Sequence, residues 1–323
     1  MFYQQFKEYP KNSQREKTQQ ERKTIKSMDW NCNGSYLATS SDSTIKIWSF
    51  DGNNIKRSTD LKQGSEQLEK LLFHPTQPDI IASITKEYVK IWDIRTKQSV
   101  RQEKKEQMGI ACWSSNGNEL AVGTKQNKET QIMFLDMQGG ERSIMYQPKD
   151  KDKNFELKNI MYDKDVFVAV GQQNGVGMIQ FMDVTNPQLP PLHQMEAHRA
   201  GITQCKFSKD GQHMYTGAQD SLIILWQLPD LLCAGQLMTV ESEIKSMSVF
   251  DSKYIAAIGL EEQAYIFQVD RCLAGKTDHI DSIKLEGQPS DLCFHPNKFI
   301  LAIVCQDKNK QESVIHLYGN LGV

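Results

Sequence analysis

Residues 197–226 read AHRAGITQCKFSKDGQHMYTGAQDSLIILW and contain three short β-type segments separated by turns. The first segment, ITQCKF, precedes Asp210-Gly211, a residue pair typical of tight turns. The second segment, HMYTG, leads to another turn that carries Asp220, and the third, IILW, ends at Trp226. No helical periodicity is present, so the stretch predicts consecutive short strands.

The same unit recurs along the chain. The third β-type segment of each unit ends in an aromatic or bulky residue. Across the seven units this position is occupied by Trp48, Trp92, Leu135, Met182, Trp226, Phe267 and Tyr318. First-strand segments precede them and end at Trp30, Phe73, Trp113, Tyr162, Phe207, Val249 and Phe294. A repeat of about 45 residues built from several short strands is typical of a propeller blade. Seven blades arranged around an axis bury both faces of every sheet.

We therefore predict an all-β fold, a seven-bladed β-propeller over residues 13–323, with a short N-terminal extension over residues 1–12. The blade pattern begins near Ile25 and ends near Leu317, so the last blade lacks an outer strand. We expect residues 12–18 to supply that strand. This pairing would latch the ring, because closure leaves only short, protected edges.

These segments resemble the WD-repeat pattern, and Trp92-Asp93 is the Trp-Asp (WD) dipeptide of that pattern. In that family a His, a Ser or Thr, an Asp and a Trp form a hydrogen-bonded chain that stiffens the blade. The resemblance implies this structural role for four residues of the fifth unit, His198, Thr216, Asp220 and Trp226. The first unit keeps Asp42 and Trp48 without the His, and the second unit has Lys86 in place of the Asp.

Nearly the whole chain is similar to the WD-repeat subunits of the THO complex, which belongs to the TREX transcription-export machinery. The similarity is carried by residues 73–96, 197–226, 231–233 and 294–319, the last with a charged insertion in its final hairpin. It implies a scaffold in the nucleus that binds the large helical THO subunits and, through the complex, a DEAD-box RNA helicase. Such a scaffold helps to couple transcription to mRNA packaging and export. The alternative is a WD40 adaptor of another nuclear or cytoplasmic complex, of the chromatin or ubiquitin-ligase type.

Composition argues against several other classes of protein. The 323 residues include 38 Lys and Arg against 40 Asp and Glu, unlike the basic balance of an autonomous nucleic-acid binder. Residues 1–26 are locally basic but lack an RNA-reading fold, so we expect any RNA contact to be indirect or weak. The seven Cys are odd in number and widely spaced, which favours a reducing compartment. The longest apolar run, Phe299–Cys305, is far shorter than the roughly 20 residues of a membrane span, so we expect no membrane association.

No catalytic or metal-binding constellation emerges from the sequence. The glycines of GQQNGVG, residues 171–177, fit a hairpin turn rather than a nucleotide-binding loop. His74 and His295 each precede Pro at equivalent turns, which favours a role in the turn over metal ligation. Asp42 and Asp220 occupy the same hairpin site in different blades, which would hold the two carboxylates apart. We predict a non-catalytic protein with no cofactor, no metal and no small-molecule substrate.

One candidate interaction surface is the rim of the central channel. In WD-repeat propellers, a residue near the start of each inner strand commonly faces this rim, and here those residues are Lys26, Glu69, Gly109, Lys158, Thr203, Lys245 and Ser290. Three lysines against one glutamate predict a mildly basic rim that favours an acidic peptide or helix of a partner. The alternative is an ordinary solvated rim.

The second candidate surface is the aromatic N-terminal segment MFYQQFKEYPKN. Phe2 and Phe6 are four residues apart and would share a helical face with Tyr3 or Tyr9, before Pro10 ends the helix. Our hypothesis is that this segment binds a partner subunit. The alternatives are a frayed tail or a strap across the last blade.

Overall fold

Seven antiparallel sheets surround a central axis, one sheet for each repeat. The computed structural model describes residues 7–8, 14–15, 25–52, 54–104, 106–126, 129–145, 155–163, 166–183, 191–238, 242–306 and 313–319.

The strands are numbered in chain order. Two short strands precede the ring, β1 (Lys7–Glu8) and β2 (Gln14–Arg15). Blade 1 consists of β3 (Met28–Trp30), β4 (Tyr36–Ser41), β5 (Thr44–Phe50) and β6 (Ile55–Lys62). Blade 2 consists of β7 (Leu68–Phe73), β8 (Ile80–Thr85), β9 (Tyr88–Asp93) and β10 (Gln98–Lys104). Blade 3 consists of β11 (Gln107–Trp113), β12 (Glu119–Gln126), β13 (Glu129–Asp136) and β14 (Glu141–Met145).

The second half of the ring follows the same order. Blade 4 consists of β15 (Phe155–Asp163), β16 (Val166–Gln173), β17 (Val176–Met182) and β18 (His193–His198). Blade 5 consists of β19 (Ile202–Phe207), β20 (His213–Ala218), β21 (Leu222–Gln227) and β22 (Leu232–Met238). Blade 6 consists of β23 (Ser246–Phe250), β24 (Tyr254–Ile258), β25 (Gln263–Gln268), the helix α1 (Val269–Leu273) and β26 (Asp281–Lys284). Blade 7 contains β27 (Gln288–Phe294), β28 (Ile300–Gln306) and β29 (Ser313–Gly319).

The first strand of each blade lies innermost, and the strands that follow it pair outward in sequence order. Consecutive inner strands contact each other around the axis, and β27 contacts β3, which closes the ring. We call the face on which the inner strands begin the rim face. The opposite face, where each inner strand ends in a turn, is the turn face.

The hydrophobic core lies between the blades, because each sheet packs against its two neighbours. The second strand of a blade is buried on both faces, and β8, IIASIT, is buried along its whole length, whereas the outer strand β10 is mostly exposed. Phe134 of blade 3 and Phe167 of blade 4 pack edge to face at a centroid distance of 5.4 Å. The junction that closes the ring packs Trp30 and Trp48 of blade 1 with Ile315 of blade 7.

The N-terminal strands complete blade 7 as an outer edge. Gln14 and Arg15 pair with Ile315 and Val314, within the range where we expect the missing outer strand. β1 extends this edge, since Lys7 pairs with Gly319 and Glu8 with Tyr318. The sheet therefore includes residues inside the range 1–12 that the sequence analysis assigns to an extension.

The helix α1 is not expected from the sequence. It lies between the third and outer strands of blade 6, buries Val269 and Cys272, and contacts β22 of blade 5. Gly235 on β22 lies so close that an added Cβ would be 2.8 Å from the Cys272 sulfur. The insertion therefore packs at the junction between blades 5 and 6.

Candidate interaction surface at the channel mouth

The predicted rim residues converge on one cavity at the rim face. A cavity of about 340 Å³ at the axis is lined by one such residue from every blade, namely Lys26, Glu69, Gly109, Lys158, Thr203, Lys245 and Ser290. The inner strands bring them together because each strand begins at the same height on the ring. The cavity is the mouth of the central channel.

The rim is less basic than the count of lysines suggests, because the lysine side chains already have partners. Lys26 Nζ forms an ion pair with Glu69 at 2.9 Å, joining blades 1 and 2. Lys158 forms an ion pair with Glu156, a residue two positions earlier that the sequence analysis does not place at the rim. Lys245 Nζ donates a hydrogen bond of 2.9 Å to the Pro289 carbonyl. Burial lowers the pKa of Lys245, and Asp291 and Glu243 oppose that shift.

The two rim residues with a hydroxyl group are also held by hydrogen bonds. Thr203 Oγ1 lies 2.5 Å from the Ile244 carbonyl of the next blade and 3.1 Å from the Gly217 carbonyl. Ser290 Oγ lies 3.4 Å from the Val304 carbonyl of its own blade. The rim is therefore an ordered ring of polar groups.

Four charged residues deeper in the channel were not identified from the sequence, and they are Asp29, Lys70, Lys206 and Asp291. Desolvation raises the pKa of Asp29 to about 6, although the backbone N–H of Phe73 and the charge of Lys206 oppose this. Desolvation and the nearby Lys70 lower the pKa of Lys206. Asp29 and Lys206 lie one residue before the bulky end of an inner strand, and Lys70 and Asp291 lie three residues before it. Charged residues at these positions of strands that line the channel are the signal that could have found them.

Side chains of the inner strands also bind the backbone of the next blade. Asp29 Oδ2 accepts a hydrogen bond of 2.7 Å from the N–H of Phe73, and Ser248 Oγ accepts one of 3.0 Å from Phe294. At the closing junction, Asp291 Oδ2 accepts a hydrogen bond of 2.9 Å from the N–H of Met28. The channel wall is thereby joined from blade to blade by polar contacts as well as by the apolar core.

The four residues of the fifth unit form a directional hydrogen-bonded chain. Trp226 Nε1 donates to Thr216 Oγ1 at 2.8 Å, and that hydroxyl lies 2.8 Å from His198 Nε2. His198 Nδ1 lies 3.1 Å from both carboxylate oxygens of Asp220. The arrangement is satisfied when Thr216 donates to Nε2 and Nδ1–H donates to the carboxylate. Burial lowers the pKa of His198, and the charge of Asp220 opposes the shift.

A glutamine takes the place of that histidine in blade 2. Trp92 Nε1 donates to Ser83 Oγ at 2.9 Å, and Ser83 Oγ donates to Gln63 Oε1 at 2.7 Å. Gln63 is buried and directly follows the outer strand of blade 1, and His198 is the last residue of the outer strand of blade 4. Gln63 was not identified from the sequence because glutamine is not a residue of the repeat pattern. Gln63 lies five residues before Leu68, one more than the four that separate His198 from Ile202, and this similar position is the signal that could have identified it.

The two His-Pro turns form a second set of contacts between blades, on the turn face. His74 Nε2 lies 2.9 Å from the Gly117 carbonyl, and His295 Nε2 lies 3.1 Å from the Gly34 carbonyl. His295 Nδ1 accepts hydrogen bonds from the N–H groups of Asn297 and Lys298, which leaves Nε2–H as the donor. These imidazoles therefore hold the turn of one blade against the turn of the next.

The described residues contain no group of three or more His, Cys, Asp or Glu side chains placed to hold a metal ion. Within the same part of the chain, no helix has the length and apolar character needed to cross a membrane. The predicted aromatic contact residues Phe2, Tyr3, Phe6 and Tyr9 lie outside the described residues.

Comparison with known proteins agrees with this geometry. The WD40 family (WD domain, G-beta repeat) matches residues 13–49 and 189–227. THO complex subunit 3 of Arabidopsis thaliana is 26% identical over 311 residues, which cover 92% of this chain and 93% of that protein. WD repeat-containing protein AAC3 of Dictyostelium discoideum is 24% identical over 251 residues, which cover 70% of this chain and 51% of that protein.

Among solved structures, the β-propeller domain of Myceliophteria thermophila Cps50 (Swd1) superimposes with a TM-score of 0.76. The match covers 94% of this chain and 98% of that domain at 15% sequence identity, so it bears on the fold alone. The chain thus contains WD40 repeats in a seven-bladed propeller, which confirms the expected resemblance and fold class. Propellers of this kind typically serve as scaffolds for protein interactions.

Proposed function

We propose that this protein is a non-catalytic WD40 scaffold subunit of a THO/TREX-like complex that couples transcription to mRNA packaging and nuclear export. The observation that carries the proposal is the similarity to THO complex subunit 3, which extends over 92% of this chain and 93% of that subunit. A match over a shared repeat alone would leave large parts of one protein uncovered, as with AAC3. Similarity that extends over nearly all of both chains instead favours a shared role for the whole ring.

The partners in this proposal are the large helical THO subunits and, through the complex, a DEAD-box RNA helicase. The protein acts in the nucleus, and its contact with RNA is indirect or weak. The charges support this view, since 38 basic residues are balanced by 40 acidic ones and the basic groups of the rim are engaged within the ring. Such a surface is better suited to specific contacts with a protein than to binding the phosphate backbone of a nucleic acid.

Affinity purification of the tagged full-length chain at moderate salt tests this function. We expect large helical THO-type subunits and a DEAD-box helicase to copurify, and the helicase to be lost when those subunits are depleted. Recovery of chromatin or ubiquitin-ligase components in their place would instead support the alternative adaptor role.

The rim at the channel mouth is the proposed partner site, formed by Lys26, Glu69, Lys158, Thr203, Lys245 and Ser290. Its lysines have one carboxylate partner each at most, and Lys245 pairs only with a carbonyl among the contacts described above. An acidic helix can therefore compete for them, since exposed ion pairs contribute only about 0–1 kcal/mol.

The triple variant Lys26→Glu, Lys158→Glu and Lys245→Glu tests the rim. We expect it to lose partner binding and to keep its circular dichroism spectrum. The matched control reverses three exposed lysines on outer strands, Lys56, Lys62 and Lys284, and so changes the net charge equally. Equal binding by the two triple variants would show that the rim is an ordinary solvated surface.

A further inference from the structure

The channel wall below the rim carries two lysines that take no part in the contacts described above. Lys70 on β7 of blade 2 and Lys206 on β19 of blade 5 line the cavity of about 340 Å³. Within the described part of the chain, neither ammonium group forms a hydrogen bond or an ion pair. They differ in this respect from Lys26, Lys158 and Lys245 of the rim, each of which has a partner.

Lys70 and Lys206 lie nearly opposite each other on the channel wall, because blades 2 and 5 are three apart in a ring of seven. They are still close enough to interact across the channel. Burial lowers the pKa of Lys206, and the nearby charge of Lys70 lowers it further. Two ammonium groups therefore share one cavity.

Blade 1 has hydrogen-bond acceptors at the positions where blades 2 and 5 have these lysines. Ser27, three residues before the end of its inner strand as Lys70 is, accepts a hydrogen bond of 3.1 Å from the N–H of Leu71. Asp29, one residue before the end as Lys206 is, binds a backbone N–H of the next blade in the same way. A lysine ammonium can only donate. Blades 2 and 5 thus present donors where blade 1 presents acceptors.

The two carboxylates of the channel do not satisfy these donors. Asp29 Oδ2 accepts its hydrogen bond of 2.7 Å from the N–H of Phe73. Asp291 accepts from the N–H of Met28 and from the hydroxyl of Ser246. Both carboxylates raise the pKa of Lys206, but they do so through space and not as hydrogen-bonded ion pairs. The ammonium groups therefore keep their donors free for an acceptor from outside the chain.

An oxyanion of the phosphate type fits this arrangement. Its oxygens accept charge-assisted hydrogen bonds, which are stronger than bonds between neutral groups. The cavity is lined by five lysines against three carboxylates, so positive charge remains in excess even though Glu156 pairs with Lys158 from outside the lining. A volume of about 340 Å³ is also within the range of small-molecule sites.

We propose that the channel binds one oxyanion of the phosphate type between the ammonium groups of Lys70 and Lys206. The ion accepts hydrogen bonds from both lysines and so links blade 2 to blade 5 across the axis. This inference does not depend on the proposed THO role, because it concerns the isolated ring and a site below the rim residues.

Isothermal titration calorimetry of the full-length chain with inorganic phosphate, at an ionic strength held constant with chloride, tests the site. We expect the wild type to bind a single equivalent. In the variant Lys70→Met, Lys206→Met the affinity is expected to fall about tenfold or more, because charge-assisted hydrogen bonds are lost.

The matched control, Lys56→Met with Lys62→Met, removes two exposed lysines of an outer strand and is expected to bind phosphate as the wild type does. Absence of binding to the wild type, or equal affinities in the two double variants, would overturn the proposal. Lys70 and Lys206 would then serve only to balance the charges of Asp29 and Asp291.

A parallel titration with glycerol phosphate identifies the source of the oxyanion. Tighter binding of inorganic phosphate would assign the site to a free ion, and tighter binding of glycerol phosphate would assign it to the phosphate group of an ester. Either result supports the proposal, and binding of neither compound contradicts it.

A second measurement uses the unchanged chain and does not depend on the folding of a variant. Acetylation of individual lysines by acetic anhydride is followed by mass spectrometry, in phosphate and in chloride of the same ionic strength. We expect phosphate to slow the acetylation of Lys70 and Lys206 by about threefold or more, because a bound anion favours the protonated amine. The exposed Lys56 and Lys62 serve as internal controls whose rates stay constant. Protection of neither channel lysine, or of only one, would rule the proposal out.

Discussion

The backbone N–H of Met28 donates a hydrogen bond of 2.9 Å to Asp291 Oδ2, although 263 residues separate the two in the chain. Asp291 Oδ1 accepts a second hydrogen bond, of 2.8 Å, from Ser246 Oγ. One carboxylate on blade 7 thus joins blades 6 and 1 across the junction that closes the ring. The polar closure works beside the apolar packing of Trp30, Ile315 and their neighbours.

We predict that Asp291→Ala destabilises the ring by about 2–4 kcal/mol, because it leaves the N–H of Met28 and the ammonium of Lys206 without this carboxylate. Asp291→Asn keeps a hydrogen-bond acceptor and is expected to cost about half as much. Urea unfolding followed by tryptophan fluorescence measures both values. An Asp291→Ala protein as stable as the wild type would show that the apolar contacts alone close the ring.

The Thr216 hydroxyl lies at the centre of the hydrogen-bonded chain in blade 5, so we expect its removal to cost more stability than removal of the Thr39 hydroxyl in blade 1. Thr216→Val keeps the shape but breaks the bonds to both His198 and Trp226, which we expect to cost about 1–3 kcal/mol. Thr39→Val in blade 1 breaks the bond to Trp48, the one hydrogen bond described for that hydroxyl, and is expected to cost about 1 kcal/mol. Equal losses of unfolding free energy in the two variants would contradict the role assigned to the longer chain.

Gly34 shows how a backbone position can require glycine for two separate reasons. Its φ is +76°, and an added Cβ would lie 2.1 Å from His295 Nε2. Gly211 has a φ of +72° with nothing within 4 Å of an added Cβ, so it isolates the effect of the backbone. We predict that Gly211→Ala costs about 1–2 kcal/mol and Gly34→Ala about 2–5 kcal/mol. Thermal unfolding of the two variants measures the difference, and a Gly34→Ala cost no larger than that of Gly211→Ala would mean that His295 yields freely.

The buried imidazole of His295 predicts a pH dependence of stability. Burial lowers the pKa of His295 from 6.5 to about 4. Between these values the unfolded chain binds the proton and the folded chain does not, so the stabilisation is present above pH 6.5 and is lost as the pH falls toward 4. Asp29 has the opposite effect on stability. Its pKa is raised to about 6, so as the pH falls below 6 the folded state binds a proton before the unfolded chain does.

Subtracting the pH profile of His295→Gln from that of the wild type isolates the histidine. Asp29 contributes equally to both proteins and cancels, and glutamine can still donate a hydrogen bond to the Gly34 carbonyl. We expect the difference in unfolding free energy to be constant above pH 6.5 and to decline below it. A difference that stays flat down to pH 4 would show that His295 titrates normally in the folded ring.

The repeat itself was predictable because each strand and turn is encoded locally. Segments such as TIKIWSF at Thr44–Phe50 combine strand alternation with a terminal tryptophan, and the structure has a strand over the same residues. The convergence of the rim residues on one cavity could also be predicted from the repeat, because equivalent positions of a closed ring must lie at the same height.

What could not be predicted depends on contacts between units that are distant in sequence. Gln63 completes the hydrogen-bonded chain of blade 2 only because Ser83 lies within 2.7 Å of it. Glu156 neutralises Lys158 through a side-chain orientation that strand periodicity does not specify. The helix α1 is too short to produce a periodic signal, and it is stabilised by packing of Cys272 beside β22.

The pairing of β1 and β2 with β29 has a consequence for synthesis on the ribosome. Residues 7–8 and 14–15 are translated well before residues 314–319, so they acquire their partners only after this last strand has been synthesised. At elongation rates of about 5–20 residues per second, this wait lasts roughly 15–60 seconds. During that time the apolar flank of blade 1 faces solvent, so the nascent chain has a built-in interval in which chaperone binding is favoured.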